Sequence, residues 1–143
     1  MYHWSDNLCI GDPVIDRQHR ELFKVAEKVE ALIEDCGPHQ TGTRDTARQQ
    51  RVLQETIKYL KSYTLEHLAT EEAFQREIGY KGYEEHKKIH DGFVETAKRM
   101  EQTIYDNDCS SECVSQLLDW VSAWLYNHIM HEDQKILEKE PEA

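Results

Sequence analysis

The chain has no apolar run approaching the roughly 18–20 residues that a membrane-crossing helix needs. Its first residues lack the basic start and apolar stretch of a secretory leader, so the cytosol is the expected location. Basic residues are scarce. Seventeen Lys and Arg stand against 28 Asp and Glu, for a net charge of −11. That balance argues against nucleic-acid or anionic-membrane partners, and a monomer is expected. No C-x-x-C pair occurs among the four cysteines, Cys9, Cys36, Cys109 and Cys113. A thiolate zinc site therefore has no framework, and free thiols are expected. With only three prolines and six glycines in 143 residues, long stretches run without a breaker. Helices fit them better than short strands.

The long stretches carry a helical period. After an extended arm over 1–15, anchored by Trp4, Leu8, Ile10 and Val14, apolar positions recur at three- and four-residue steps. Helices are expected over about 16–36, 45–78, 83–106 and 111–137. Asp16 is expected to cap the first, Gly79 to end the second, and Ser110 or Ser111 to cap the fourth. Gly37-Pro38 is expected to stop the first helix ahead of a loop over 37–44. Four helices with short connections predict one domain, an all-α, antiparallel up-down-up-down four-helix bundle.

The inward stripes are not uniformly apolar. His19, His67, Glu71, His86 and His90 fall on them, and His128 closes the stripe of the last helix. His3, His39 and His131 have no inward partner and read as surface residues. Positions four apart on a helix lie within about 40° of each other. His67 with Glu71, and His86 with His90, therefore form chelating pairs. After His128 the spacing leaves two acids open. Glu132 stands at the favourable fourth position. Asp133, at the fifth, points about 140° away on an ideal helix. A π-type bulge or a wide site would be needed to bring Asp133 in.

Five imidazoles and two acids in a core would leave several buried polar groups unpaired, at about 1–3 kcal/mol each. Metal coordination removes that cost. Nitrogen and carboxylate donors suit iron, manganese or zinc, and bridging carboxylates suit two ions. The Glu-x-x-His pairs of ferritin-like bundles are missing. So is the H-E-x-x-H of zinc proteases.

The chain resembles the hemerythrins, most closely the single-domain bacterial ones. The resemblance is carried by the Trp4 arm, Ile15-Asp16-Arg17-Gln18-His19, His67-Leu68-Ala69-Thr70-Glu71-Glu72, His86-x-x-x-His90, and Trp124-Leu125-Tyr126-Asn127-His128-Ile129 followed by Asp133. It implies a non-haem di-iron centre. His86, His90 and His128 would hold one iron and His19 and His67 the other. Glu71 and Asp133 would bridge, together with a solvent-derived hydroxide. In that family the acid stands five residues after the last His, which selects Asp133. The implied function is reversible binding of dioxygen at the His19/His67 iron, for storage, delivery or scavenging, rather than enzymatic turnover. The alternatives are an oxygen- or redox-sensing module, or an oxidoreductase acting on oxygen, peroxide or nitric oxide. Leu22, Leu68, Trp124, Leu125 and Ile129 are expected to line the oxygen pocket. Many relatives carry Phe where this chain has Leu68.

Overall fold

The computed structural model describes residues 1–35, 43–108 and 110–138. Four helices account for most of them: α1 (Pro13–Asp35), α2 (Thr43–Ile78), α3 (Tyr83–Asp106) and α4 (Ser111–His131). No strand occurs among the described residues. Each helix packs against two neighbours, α1 on α2 and α4, and α3 on α2 and α4. The result is the expected four-helix bundle. The stop at Gly37-Pro38, Cys36, His39, Cys109 and most of the 37–44 loop lie outside the described residues. Thr43 is already helical.

The start of α1 differs from expectation. The helix begins at Pro13, whose fixed φ and missing N–H suit a first helical position. Asp12 performs the cap, its carboxylate accepting the Ile15 N–H at 3.0 Å. Asp16 instead faces back to the arm. Its two oxygens accept the N–H groups of Ile10 (2.7 Å) and Gly11 (3.2 Å). Gly11 takes φ +110°, a turn that L side chains resist. Leu8 is fully buried, with Trp4 and Ile10 partly so, but Val14 is exposed. The other boundaries follow local chemistry. Gly79 ends α2 at φ +68°, and the Ser110 hydroxyl accepts the Cys113 N–H at the start of α4. Ile78, expected inside, is 44% exposed. Phe74 and Ile33 are only half-buried.

The largest correction is at the end of α4. The helix stops at His131 instead of continuing to Leu137. Glu132 is the cap at φ −114°, ψ −51°, its N–H still on the His128 carbonyl, and a single 3₁₀ turn follows over Asp133–Lys135.

The bundle divides along its length. Toward one end Val29, Leu53, Ile57, Ile104, Val114 and Leu118 form an apolar core. Toward the other, the same inward stripes carry the imidazoles and carboxylates. An aromatic layer lies between them. Phe93 stacks on Trp120 (5.1 Å) and meets Trp124 (4.1 Å), and Trp124 stacks on the His128 ring at 4.3 Å and 13°.

Candidate metal centre

All seven polar residues singled out from the sequence converge, and each is 6% exposed or less. His19 comes from α1, His67 and Glu71 from α2, His86 and His90 from α3, and His128 from α4. Asp133 comes from the turn beyond α4. That turn resolves the spacing problem. α4 carries no π-type bulge. The helix ends, and the tighter 3₁₀ turn re-aims the fifth residue inward. Asp133 is fully buried, whereas Glu132 lies 3.7 Å from Lys135. His3 and His131 are exposed, as expected.

The side chains form two groups sharing Glu71. One is Glu71, His86, His90, His128 and Asp133. The other is His19, His67 and Glu71. Each carboxylate divides its oxygens between the two sides. Glu71 Oε1 faces His86 Nε2 (2.8 Å) and His90 Nε2 (3.2 Å), while its Oε2 faces His67 Nε2 (3.2 Å) and His19 Nε2 (3.4 Å). Asp133 Oδ1 faces His86 and His128 Nε2, each at 3.0 Å, while its Oδ2 faces His19 Nε2 at 3.2 Å.

Apart from His86 Nε2 on Glu71 Oε1, these short approaches are poor hydrogen bonds. His19 Nε2, Glu71 Oε2 and both Asp133 oxygens find no properly aligned partner, although charged atoms stand within 3.4 Å. The donor atoms converge without pairing along their lone-pair directions. Cation ligands do this.

The spacing fits the same reading. Two donors about 2.1 Å from one ion are about 3.0 Å apart at a right angle, about 3.4 Å apart at a tetrahedral angle and about 4.2 Å apart when opposite. The Nε2 of His128 is 3.0 Å from that of His86 and 3.1 Å from that of His90. Glu71 Oε1 is 4.0 Å from His128 Nε2, against 2.8 and 3.2 Å from the other two imidazoles. These are the spacings of donors turned toward one point, with Glu71 Oε1 and His128 Nε2 the farthest apart of the set.

Without an ion, the cluster balances its own charge. Burial pushes His19 and His86 down, but the Asp133 and Glu71 carboxylates more than reverse this and raise both to about 9. His67 is lowered by its burial. Burial opposes ionisation of Glu71, yet the imidazoles of His19, His67, His86 and His90 hold it well below the usual carboxylate range. Burial and the Glu71 charge push Asp133 up, but His128, His19 and His86 bring it to about 2.

Sequence reasoning missed the residues behind the cluster. Gln18 Oε1 lies 2.8 Å from His67 Nδ1, and Glu72 Oε2 lies 3.2 Å from His90 Nδ1. Gln75 is fully buried, with neither side-chain polar atom hydrogen-bonded. Its signal was the i+4 step that extends the His67, Glu71 row by one turn.

Comparison with known proteins agrees. The family model for the hemerythrin HHE cation binding domain matches residues 11–139. A bacteriohemerythrin of Stenotrophomonas maltophilia is 30% identical over 131 residues, covering 92% of this chain and 76% of that protein. One from Clostridium acetobutylicum is 28% identical over 140 residues, covering 96% and 100%. A hemerythrin-like protein of Naegleria gruberi is 23% identical over 134 residues, covering 94% and 89%.

Proposed function

The chain belongs to the hemerythrin family, and from that premise we propose that it binds dioxygen reversibly at a pair of non-haem irons. The carrying observation is the division of both buried carboxylates between a three-imidazole side and a two-imidazole side. His86, His90 and His128 would hold one iron and His19 and His67 the other, with Glu71 and Asp133 shared. Imidazole nitrogens and carboxylate oxygens are donors that suit iron. Bound iron would supply the reversible electron transfer that dioxygen binding requires. Counting this chain's donors, the His19/His67 side is one short, so the position for dioxygen is assigned there.

The protein's own task is to hold these donors and keep water out. Gln18 fixes the His67 ring and Glu72 the His90 ring by taking the second ring nitrogen, which sets each tautomer. Trp124 lies flat on His128 and shields it. Leu22, one turn beyond His19, and Leu68, beside His67, are buried, as are Leu125 and Ile129 around His128. With Trp124 they form the apolar wall assigned to the oxygen pocket.

The test is iron reconstitution under anaerobic conditions, with metal analysis and absorption spectroscopy. The expected result is about two irons per chain, as the two donor groups require. A visible band should appear in air and disappear under vacuum through repeated cycles. Irreversible bleaching in the first cycle, or continuous oxygen consumption with a reductant, would overturn the carrier reading.

A further inference from the structure

His67 and His90 each present Nδ1 to an acceptor on a neighbouring residue, Gln18 and Glu72. His86 does not. Its Nδ1, like that of His19 on α1, is buried without a partner. An imidazole that ligates a metal through one nitrogen almost always donates from the other, and the acceptor orients the ring and raises its basicity.

The matching orphan is Gln75, fully buried with its amide oxygen and nitrogen both unpartnered. The register of the α2–α3 hairpin brings the two to one level. Glu71 stands opposite His90, Oε1 to Nε2 at 3.2 Å. Four residues toward the turn on α2 is Gln75, and four residues toward it on α3 is His86. The turn closes over both. The Tyr80 N–H donates to the Gln75 backbone carbonyl at 2.9 Å, and the Tyr80 ring lies edge-on to His86 at 6.4 Å.

We propose that Gln75 is the positioning residue for His86: its side-chain carbonyl takes the Nδ1–H once Nε2 is committed to a metal. The link is direct or crosses one trapped water, and both routes fix the same tautomer. In the metal-free arrangement Nε2 is engaged by Glu71 at 2.8 Å. A metal at Nε2 displaces that proton and leaves Nδ1–H as the ring's sole donor. Gln75 then does for His86 what Gln18 does for His67. The proposal rests on the metal-centre reading above.

Zinc(II), a redox-silent probe, separates the possibilities. It is titrated into the metal-free full chain as wild type, Gln75→Leu and Gln75→Glu, with ¹⁵N spectra of the histidine rings. Gln75→Leu should weaken zinc binding by about tenfold to a hundredfold and expose the His86 Nδ1–H to rapid exchange. Gln75→Glu, which keeps an acceptor, should restore both. Leucine leaves no unpaired amide, so metal-free Gln75→Leu should melt no lower than wild type. Should Gln75→Leu fail to fold, Gln75→Met is expected to show the same loss of affinity. Wild-type affinity in the leucine or methionine variant overturns the proposal. So does a Gln75→Glu protein as weak as Gln75→Leu. A Gln75→Leu protein that folds but melts well below wild type, with its His86 Nδ1–H still protected from exchange in the zinc-bound form, marks a packing role and overturns it too. Absence of zinc binding by wild type would sink the metal reading itself.

Discussion

Adding about two equivalents of a divalent metal to the metal-free protein near pH 7.5 should expel about two protons. The magnitude follows from His19 and His86, both raised to about 9 by the carboxylates of Asp133 and Glu71 against the opposing effect of burial. At pH 7.5 each ring is then mostly protonated, and a metal takes Nε2 only after that proton leaves. Near pH 10 both rings are mostly neutral, so release from the pair falls well below one proton. Below pH 9 the combined affinity for two ions should therefore rise about a hundredfold per pH unit, tenfold for each displaced proton. The sign for stability is the reverse. A folded-state value above the ordinary 6.5 stabilises the metal-free fold fully below pH 6.5, and that contribution is lost as pH rises through 9. The metal-free protein should thus lose melting temperature between pH 6.5 and 9. The metal-bound protein, lacking those protons, should lose little. Calorimetric titration in two buffers of different ionisation enthalpy counts the protons directly. Fewer than about half a proton released at pH 7.5, or equal release at pH 7.5 and 10, would refute the reasoning.

Three further outcomes are expected. Asp133→Asn should leave the chain folded but reduce bound metal to about one ion or fewer by elemental analysis, since an amide bridges poorly; Glu132→Gln should retain both, and the reverse pattern would restore the spacing argument for Glu132. Leu68→Phe should slow decay of the oxygenated form by narrowing the buried wall beside His67, read as the lifetime of the visible band; equal or faster decay would remove Leu68 from the pocket. Asp16→Ala releases two arm N–H groups and should cost about 1–3 kcal/mol in denaturant unfolding; an unchanged midpoint would show that the arm is held by its other contacts.

The bundle was legible because helical periodicity and breakers are local signals. α3 begins and ends at the expected residues, and Gly79 and Ser110 act where their chemistry directs. What the period could not show was the angle at a helix end. Asp133 looks misdirected only if α4 continues. Glu132 stops the helix, and 3₁₀ geometry turns the next side chain inward. Asp16 was misread for a related reason. Its cap-like position in sequence cannot reveal that Pro13 and Asp12 already start the helix, which frees its carboxylate for the arm. Val14 and Ile78 stand at helix ends, where a periodic stripe in the sequence gives no measure of burial. The six helix-borne members of the cluster were readable as polar residues on apolar stripes. Gln18, Glu72 and Gln75 were not, because one polar residue beside a ligand looks like any surface residue until its burial is known.

Because α4 ends at His131, Asp133 sits on a separate 3₁₀ turn and not on a helix of the bundle. Its turn is fastened elsewhere, with Gln134 donating to the Asn7 and Cys9 carbonyls at 3.4 and 3.3 Å and Leu137 lying against Gly11. A metal therefore need not wait for four helices to separate before it can enter. Opening this turn, with the arm that clasps it, lifts away one of the two buried carboxylates, and the local opening of a single turn costs far less than global unfolding. Metal uptake and loss should then follow the opening rate of the clasp. An amide of the arm and one of the Asp133 turn should exchange together, slowly in the filled protein and quickly in the empty one.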